Sequence, residues 1–258
     1  MLYNLTELKG LTIKARDGEI GEVENFYFDD DNWTIRYFVV DTGTWLTGRR
    51  VLISPISVGR ADQVNRRVEV DLTKKQIEDS PGVDTDKPVS RQYELSYFSY
   101  YGYPYYWGGP YAWGPAAIPA AMPVPMPAAT RAQTEVEEMQ RRNEESSDPH
   151  LHSANEVIGQ YYIEANDGDI GHVEEFLIDD ESWAIRYMVV DTRNWWPGKN
   201  VLVAPQWIER VSWNDSRVYV NLSRASIQDA PEYDRNAPLS RDYESNLHRH
   251  YGRSPYWG

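Results

Sequence analysis

The chain contains no cysteine. This absence excludes a disulfide framework, thiolate catalysis and every metal centre that relies on cysteine ligands. It also means that the sequence gives no indication of the redox compartment. We expect no cofactor that is held through sulfur, and no other cofactor motif is visible.

Long hydrophobic runs are also missing. The most apolar stretch, residues 112–129, contains five prolines, and each one removes a backbone donor and interrupts a helix. The first 18 residues lack the basic region, apolar run and cleavage site that are typical of a secretory signal. We therefore expect a cytoplasmic protein without a transmembrane segment, and peripheral membrane association stays open.

Positive charge is scarce relative to negative charge. The chain has 26 Lys and Arg against 40 Asp and Glu, which gives a net charge of -14. Basic side chains cluster only in short pairs such as Arg49-Arg50 and Arg66-Arg67. A nucleic-acid-binding surface needs a positive patch to neutralise phosphates. Direct nucleic-acid binding is therefore disfavoured for this acidic protein.

An internal duplication organises the sequence. Residue n aligns with residue n+150 without a gap from Ile13/Ile163 to Gly108/Gly258, and 43 of these 96 positions are identical. A self-match at a fixed spacing indicates a tandem repeat. We predict a first repeat at residues 1–95 and a second at 152–245. Between them we expect an aromatic, proline-rich and then polar linker at 96–151, weakly ordered over 112–148, and residues 246–258 form an aromatic tail.

Within each repeat, the pattern indicates short strands. Asp17-Gly18 and Asp167-Gly168 separate apolar-alternating runs, which is a strong hairpin signal. Thr73, followed three residues later by Gln76, predicts a short capped helix. Five or six short strands with turns every 8 to 12 residues favour a closed antiparallel barrel. We predict an all-β fold of two tandem small barrels, each with one short helix, joined by a flexible linker.

The segments RDGEIGEVENFYFDDDNWTIRYFVVDT, VLISP and the short helix after them, with their counterparts in the second repeat, resemble the PRC-barrel family. TKKQIEDSPGVDTDKPVSRQYE and its twin make the branch represented by the cytoplasmic barrel of the photosynthetic reaction-centre H subunit the closest in appearance. The resemblance implies two PRC-type β-barrels and docking to proteins rather than catalysis. It also points to membrane-associated complexes, and another branch serves in ribosome maturation.

Catalytic and metal-binding patterns are weak. No G-x-S-x-G motif and no Ser near a His within a repeat support acyl transfer, so we expect no enzymatic activity. The pairs His150/His152 and His248/His250 could bind a transition metal, but they lie in the linker and tail. The cluster Asp29–Asp31 lacks calcium-loop spacing and is better explained as a turn. We therefore expect no metal site.

Charged and aromatic residues that match between the repeats are the candidate interaction residues. The charges could pair within each barrel or form a docking face, and Trp and Arg are frequent anchors of interfaces. The aromatic segments either fold back on the barrels or bind a partner. The candidates are Arg36, Asp41, Trp45, Tyr101 and Trp107 in the first copy, and Arg186, Asp191, Trp195, Tyr251 and Trp257 in the second.

Three functions remain open. The favoured one is a non-enzymatic protein-interaction module whose two barrels pair within the chain, docking to a membrane-associated or stress-related complex whose protein partner is unknown. The second is an accessory factor in RNA processing or ribosome assembly. The third is an enzyme or metal binder that uses a groove between the barrels. Pairing of the barrels is expected because duplicated domains often resemble a fused homodimer.

Overall fold

In the computed structural model, residues 1–83, 89–107, 113–114, 117–119, 151–192 and 198–257 are described. These residues form 14 strands. Repeat 1 contributes the strands β1 Leu2–Asn4, β2 Thr12–Ala15, β3 Gly18–Asp29, β4 Thr34–Asp41, β5 Arg50–Ile53, β6 Val58–Asp62 and β7 Arg67–Val70. The remaining strands are β8 Leu151–Ser153, β9 Tyr162–Ala165, β10 Gly168–Asp179, β11 Ile185–Asp191, β12 Asn200–Val203, β13 Ile208–Ser212 and β14 Arg217–Val220.

The strands form two sheets with the same internal order. One sheet runs β5-β4-β3-β2-β7-β6, and the other runs β12-β11-β10-β9-β14-β13. All neighbours are antiparallel except β2 with β7 and β9 with β14, which are parallel. The protein is therefore mostly β with two sheets and few helices, and the strand order is preserved between the repeats.

Five α-helices are described, α1 Lys74–Glu78, α2 Arg91–Tyr101, α3 Ala154–Val157, α4 Arg224–Gln228 and α5 Arg241–His250. The predicted cap of α1 is confirmed, since the Thr73 side chain accepts from Gln76 N while Gln76 reaches back to Thr73 N. The prediction of one short helix per copy is wrong. Residues that composition assigned to a linker and a tail instead form about half of α2 and of α5, because Ser90 and Ser240 cap these helices and their apolar side chains pack on the sheets.

The described residues divide into two compact units. Unit 1 contains residues 1–7, 154–180 and 185–258, and unit 2 contains residues 8–153 and 181–184. Each unit therefore combines one repeat with short segments from the other half of the chain. The repeat boundaries at 1–95 and 152–245 stay a prediction, and the sequence pattern could not show which sheet the short strands β1 and β8 join.

Both short strands pair with the opposite repeat. In unit 1, β1 lies antiparallel to the end of β10, with Tyr3 facing Ile178. In unit 2, β8 lies antiparallel to the end of β3, with His152 facing Phe28. In addition, the turn at 181–184 packs within unit 2, where Trp183 meets Phe38 edge to face at 5.0 Å.

Two equivalent glycines allow the long strands to bend. Gly21 and Gly171 have φ values of 154° and 149°. A Cβ atom at either position would lie 1.9 Å from the carbonyl oxygen of Asp41 or Asp191. Only glycine permits this close backbone approach, which brings the end of β4 or β11 against β3 or β10.

Candidate interaction site

A buried carboxylate organises the helix and the tail of unit 2. Ser90 caps α2, and Glu94 lies in the first turn, where it is fully buried. Its Oε1 atom accepts hydrogen bonds from the hydroxyls of Tyr37 on β4, at 3.0 Å, and Tyr106 after the helix, at 2.7 Å. Arg91 Nη1 donates to Oε2 at 2.9 Å. One side chain therefore joins the sheet, the helix and the segment that follows it.

Unit 1 repeats this cluster residue by residue. Glu244 Oε1 accepts from the hydroxyls of Tyr187, at 3.1 Å, and Tyr256, at 2.9 Å. Arg241 Nη1 lies 3.0 Å from Glu244 Oε2. We call these two sets the carboxylate clusters. Because a buried carboxylate needs several donors, the cluster fixes where the chain after each helix must lie.

The hydroxyls of both carboxylate clusters are held protonated. Burial raises the pKa of Tyr37 and Tyr106 well above the usual range, and the nearby Glu94 charge acts in the same direction. In unit 1, burial and Glu244 raise the pKa of Tyr256 to about 12. The tyrosines are therefore hydrogen-bond donors throughout the physiological pH range.

Arg36 is fully enclosed in unit 2. Its Nε atom lies 2.5 Å from Asp29 Oδ2, and its guanidinium carbon lies 3.9 Å from the ring centre of Tyr106 and 4.6 Å from that of Trp113. Among the residues that the structure describes, Nη1 and Nη2 have no hydrogen-bond partner, so ring faces take that place. Burial raises the pKa of Asp29, although Arg36 and the backbone of Asn32 oppose this shift.

The equivalent arginine of unit 1 is less enclosed. Arg186 Nη2 lies 3.8 Å from Asp179 Oδ1, and its guanidinium carbon lies 4.2 Å from the Tyr256 ring centre. The side chain of Arg186 is 12% exposed, against 0% for Arg36. Both arginines therefore pair with a carboxylate at the end of the preceding strand.

The first tail, residues 101–107, folds back on its sheet. Phe98 beneath it is buried, and Tyr97 accepts from Ser54 N at 2.9 Å and donates to Leu52 O at 3.2 Å. Within the tail, Tyr101 stacks on Tyr103 with ring centres 5.3 Å apart. Folding back buries only part of this tail.

The outer rings of the first tail remain half-buried at the surface. Tyr105 stacks on Trp107 at 4.9 Å, and the Arg91 guanidinium lies 4.2 Å from the Trp107 ring. Tyr100, whose ring centre lies 4.8 Å from that of Tyr101, is 42% exposed. We call Tyr100, Tyr101, Tyr103, Tyr105 and Trp107 the aromatic face.

The second tail, residues 251–257, packs on different partners. Buried His248 stands where the first repeat has Phe98, with its Nε2 atom 3.0 Å from the Tyr187 hydroxyl. Trp207 fills space beside it, with its ring 5.3 Å from His248 and 4.8 Å from Tyr251. The Arg241 guanidinium carbon lies 4.2 Å from the ring centre of Trp257, which is 36% exposed.

The other candidates have different surroundings where the structure describes them. Asp41 is exposed at the end of β4, where its Oδ1 accepts from Gly43 N at 2.8 Å, whereas Asp191 is buried. Trp45 lies half-buried with Lys74 Nζ 4.4 Å from its ring. Trp195 lies outside the described residues. The two equivalent aspartates therefore differ in exposure.

Sequence reasoning missed Glu94, Tyr37 and Tyr106, which hold the first tail in place. A signal was present, because each is identical to its partner 150 residues later, as is Arg91. That signal was masked because Tyr, Gly and Pro dominate the segment. Such a composition indicated a linker, although a single buried carboxylate is enough to order it.

Metal and groove sites are limited in the described part of the chain. No group of three or more His, Asp and Glu that could hold a metal occurs among these residues, and His150 lies outside them.

A groove of about 400 Å³ in unit 2 is lined by Lys14, Arg16, Gly59, Glu69 and Asp71, together with Ala15 and Val70. All of these belong to repeat 1, and Arg16 pairs with Asp71 at 2.5 Å.

The comparison with known protein families concerns the segment from β1 to α1. Residues 1–77 match the family model of the PRC-barrel domain. The match covers all seven strands contributed by repeat 1 and most of α1. No curated protein sequence matches the chain. Among the described residues, no helix is long and apolar enough to cross a membrane.

Proposed function

We propose that the chain is a non-enzymatic protein-interaction module in which the aromatic face contacts a protein partner. The PRC-barrel match over residues 1–77 supports an interaction role in a general sense. The observation that carries the proposal is the pair of ring stacks, Tyr101 on Tyr103 and Tyr105 on Trp107, held half-exposed on a folded segment.

Ordered aromatic rings are well suited to this role. Tyr and Trp offer large contact areas, and rings that are already fixed lose little entropy on binding. Glu94 fixes the segment through Tyr106 and Arg91, and Tyr97 binds the backbone of β5. The face is therefore preorganised before a partner arrives.

The charge of the chain suggests the chemistry of the partner. With a net charge of -14, the protein attracts surfaces that are rich in Arg and Lys and repels acidic ones. Guanidinium groups also stack favourably on Tyr and Trp rings, as Arg91 does on Trp107. We therefore propose a protein with a basic contact surface.

We also propose that the second repeat, like the first, is a PRC-type barrel. The 43 identities and the shared strand order support a second PRC-type barrel at residues 152–245. We propose that the two barrels pair within the chain, that the module works in the cytoplasm, and that it docks at a membrane-associated complex like the reaction-centre H-subunit branch. Ribosome assembly remains the second candidate by family resemblance alone.

The proposal is tested by capturing partners from the native host and measuring their affinity. Wild type, Tyr105→Ala/Trp107→Ala and the control Val64→Ser are compared, because Val64 is 93% exposed in a turn of the same unit. Each captured protein is purified, and its dissociation constant is measured at low and high salt.

We expect wild type and the control to bind equally, and the double variant to bind at least tenfold more weakly, since two anchoring rings are lost. Affinity should fall with salt because charge attraction contributes. Equal binding of all three proteins would exclude the aromatic face as the contact. Binding only to ribosomal RNA would favour the second candidate.

A further inference from the structure

The register of β2 against β3 leaves a gap that repeat 1 does not fill itself. Thr12 faces Glu22 and Ile13 faces Gly21. A straight continuation of β2 towards the N-terminus would therefore place residues 5–7 beside residues 27–29. Instead, Leu5–Leu8 form a 3₁₀ helix, and the chain turns away.

Repeat 2 leaves the equivalent gap. Tyr162 faces His172, so a continuation of β9 would place residues 155–157 beside residues 177–179. Those residues lie in α3, Ala154–Val157. In both repeats a single helical turn thus takes the chain away from its own long strand.

The vacant position of unit 2 is filled by β8. Leu151, His152 and Ser153 are all buried there, facing residues 27–29. Asn25 Nδ2 donates to Ser153 Oγ at 2.8 Å, and His152 Nε2 lies 3.3 Å from Asp30 Oδ2.

The vacant position of unit 1 is filled by β1. Its three residues face Leu177–Asp179. The Met1 ammonium group pairs with Asp180, and the hydroxyl and backbone NH of Thr6 both donate to the buried carboxylate of Glu175. Glu175 occupies the position of Asn25 in the other repeat, so the same site is anchored in both units by different chemistry.

We propose that the two halves of the chain exchange strands reciprocally. Each half supplies the short strand that completes the sheet of the other half. Each half carries both a strand-acceptor site and the strand that fits its twin. Because the exchanged contacts replace equivalent ones, such swapping costs little, and short connections such as residues 5–8 and 154–157 favour it. The partner recognised by each acceptor site is the other copy of the duplicated sequence.

Cysteine pairs test the proposal, since the chain has no cysteine of its own. Facing residues in antiparallel strands have Cα atoms about 4.5–5.5 Å apart, within the range that disulfides need. The exchanged pairs are Asn4→Cys/Leu177→Cys and Ser153→Cys/Tyr27→Cys. The matched controls recombine the same substitutions as Asn4→Cys/Tyr27→Cys and Ser153→Cys/Leu177→Cys, which would join only in unexchanged repeats.

A specific protease site placed between residues 130 and 140 of the full chain provides the readout. After mild oxidation and cleavage, we expect the exchanged pairs to give one covalent species of about 30 kDa on a non-reducing gel, and the control pairs to give two separate fragments. Efficient disulfide formation in the control pairs, with none in the exchanged pairs, would overturn the proposal.

The same cleavage in the chain without introduced cysteines removes the dependence on variants that fold poorly. We expect the two fragments to elute together in size-exclusion chromatography, because each holds a strand of the other's sheet. Separation of folded fragments under native conditions would overturn the proposal. Neither measurement depends on the aromatic face, so the proposed function can fail while the exchange stands.

Discussion

The two carboxylate clusters are built from the same residues but are enclosed differently. In unit 2 the cluster continues into Arg36, which Tyr106 and Trp113 cover completely. In unit 1 the Tyr256 ring lies over the equivalent Arg186, which keeps some exposure. The comparison teaches that duplication preserved the polar links between helix, tail and sheet. The apolar cover around them was free to change.

The position of a large buried ring also differs between the units. Tyr97 and Ser57 in unit 2 correspond to Leu247 and Trp207 in unit 1. The buried ring of this set therefore lies on the helix in unit 2 and after the β12 strand in unit 1.

The largest expected effect is that of Trp113, which covers Arg36 in unit 2. Trp113→Ala removes a 3% exposed ring, its contact with Arg36 and its Nε1 hydrogen bond to Ser182 O at 2.7 Å. We expect a loss of about 3–5 kcal/mol in the free energy of unfolding measured in urea. Trp257→Ala, at a 36% exposed position, should cost about 1 kcal/mol or less. Equal losses would mean that the extra cover of Arg36 has no energetic role.

A smaller loss of stability is expected when the buried glutamates of the two carboxylate clusters are replaced one at a time. Glu94→Gln should cost about 2–4 kcal/mol because Arg91 loses its charged partner inside a buried site. Glu244→Gln should cost about 1–2 kcal/mol, since the Arg241 side chain is 57% exposed and is solvated by water. Urea unfolding of both variants at pH 7 measures the difference. A larger loss for Glu244→Gln would reverse our ranking of the two sites.

The smallest effect is a dependence on pH through His248 of unit 1, which stands where unit 2 has Phe98. Tyr187 donates to Glu244, which leaves the Tyr187 oxygen as an acceptor for His248 Nε2 at 3.0 Å. Burial lowers the pKa of His248. As the pH falls through about 6.5, the unfolded chain therefore binds a proton at this histidine before the folded chain does. The free energy of unfolding is full above that pH and decreases as the pH falls below it.

The substitution His248→Phe, which copies Phe98, should remove this contribution. We expect the melting temperature of wild type to fall more steeply between pH 7 and pH 5 than that of the variant. Identical slopes would show that His248 does not couple protonation to folding.

Much of the fold followed from the sequence. The repeat spacing, the hairpins and the capping of α1 by Thr73 depend on local chemistry that the pattern records. The partner of Arg36 did not follow, because Asp29 and Asp41 end adjacent strands and the register of β3 against β4, in which Asp29 faces Thr34, places Asp29 near it. The destination of β1 was also out of reach, since three residues carry too little pattern to choose between identical sheets.

Because β1 and β8 pair with the opposite half of the chain, the order of synthesis on the ribosome affects when each sheet can be completed. Unit 2 lacks its last pieces until residue 184 has been made, and residues 1–7 emerge long before the rest of their unit, residues 154–180 and 185–258. At about 5–20 residues per second, β1 waits on the order of 10 to 30 s for its neighbour. The nascent first repeat thus carries an unpaired strand edge during that interval, a period in which holding chaperones would protect it from pairing with a neighbouring nascent chain.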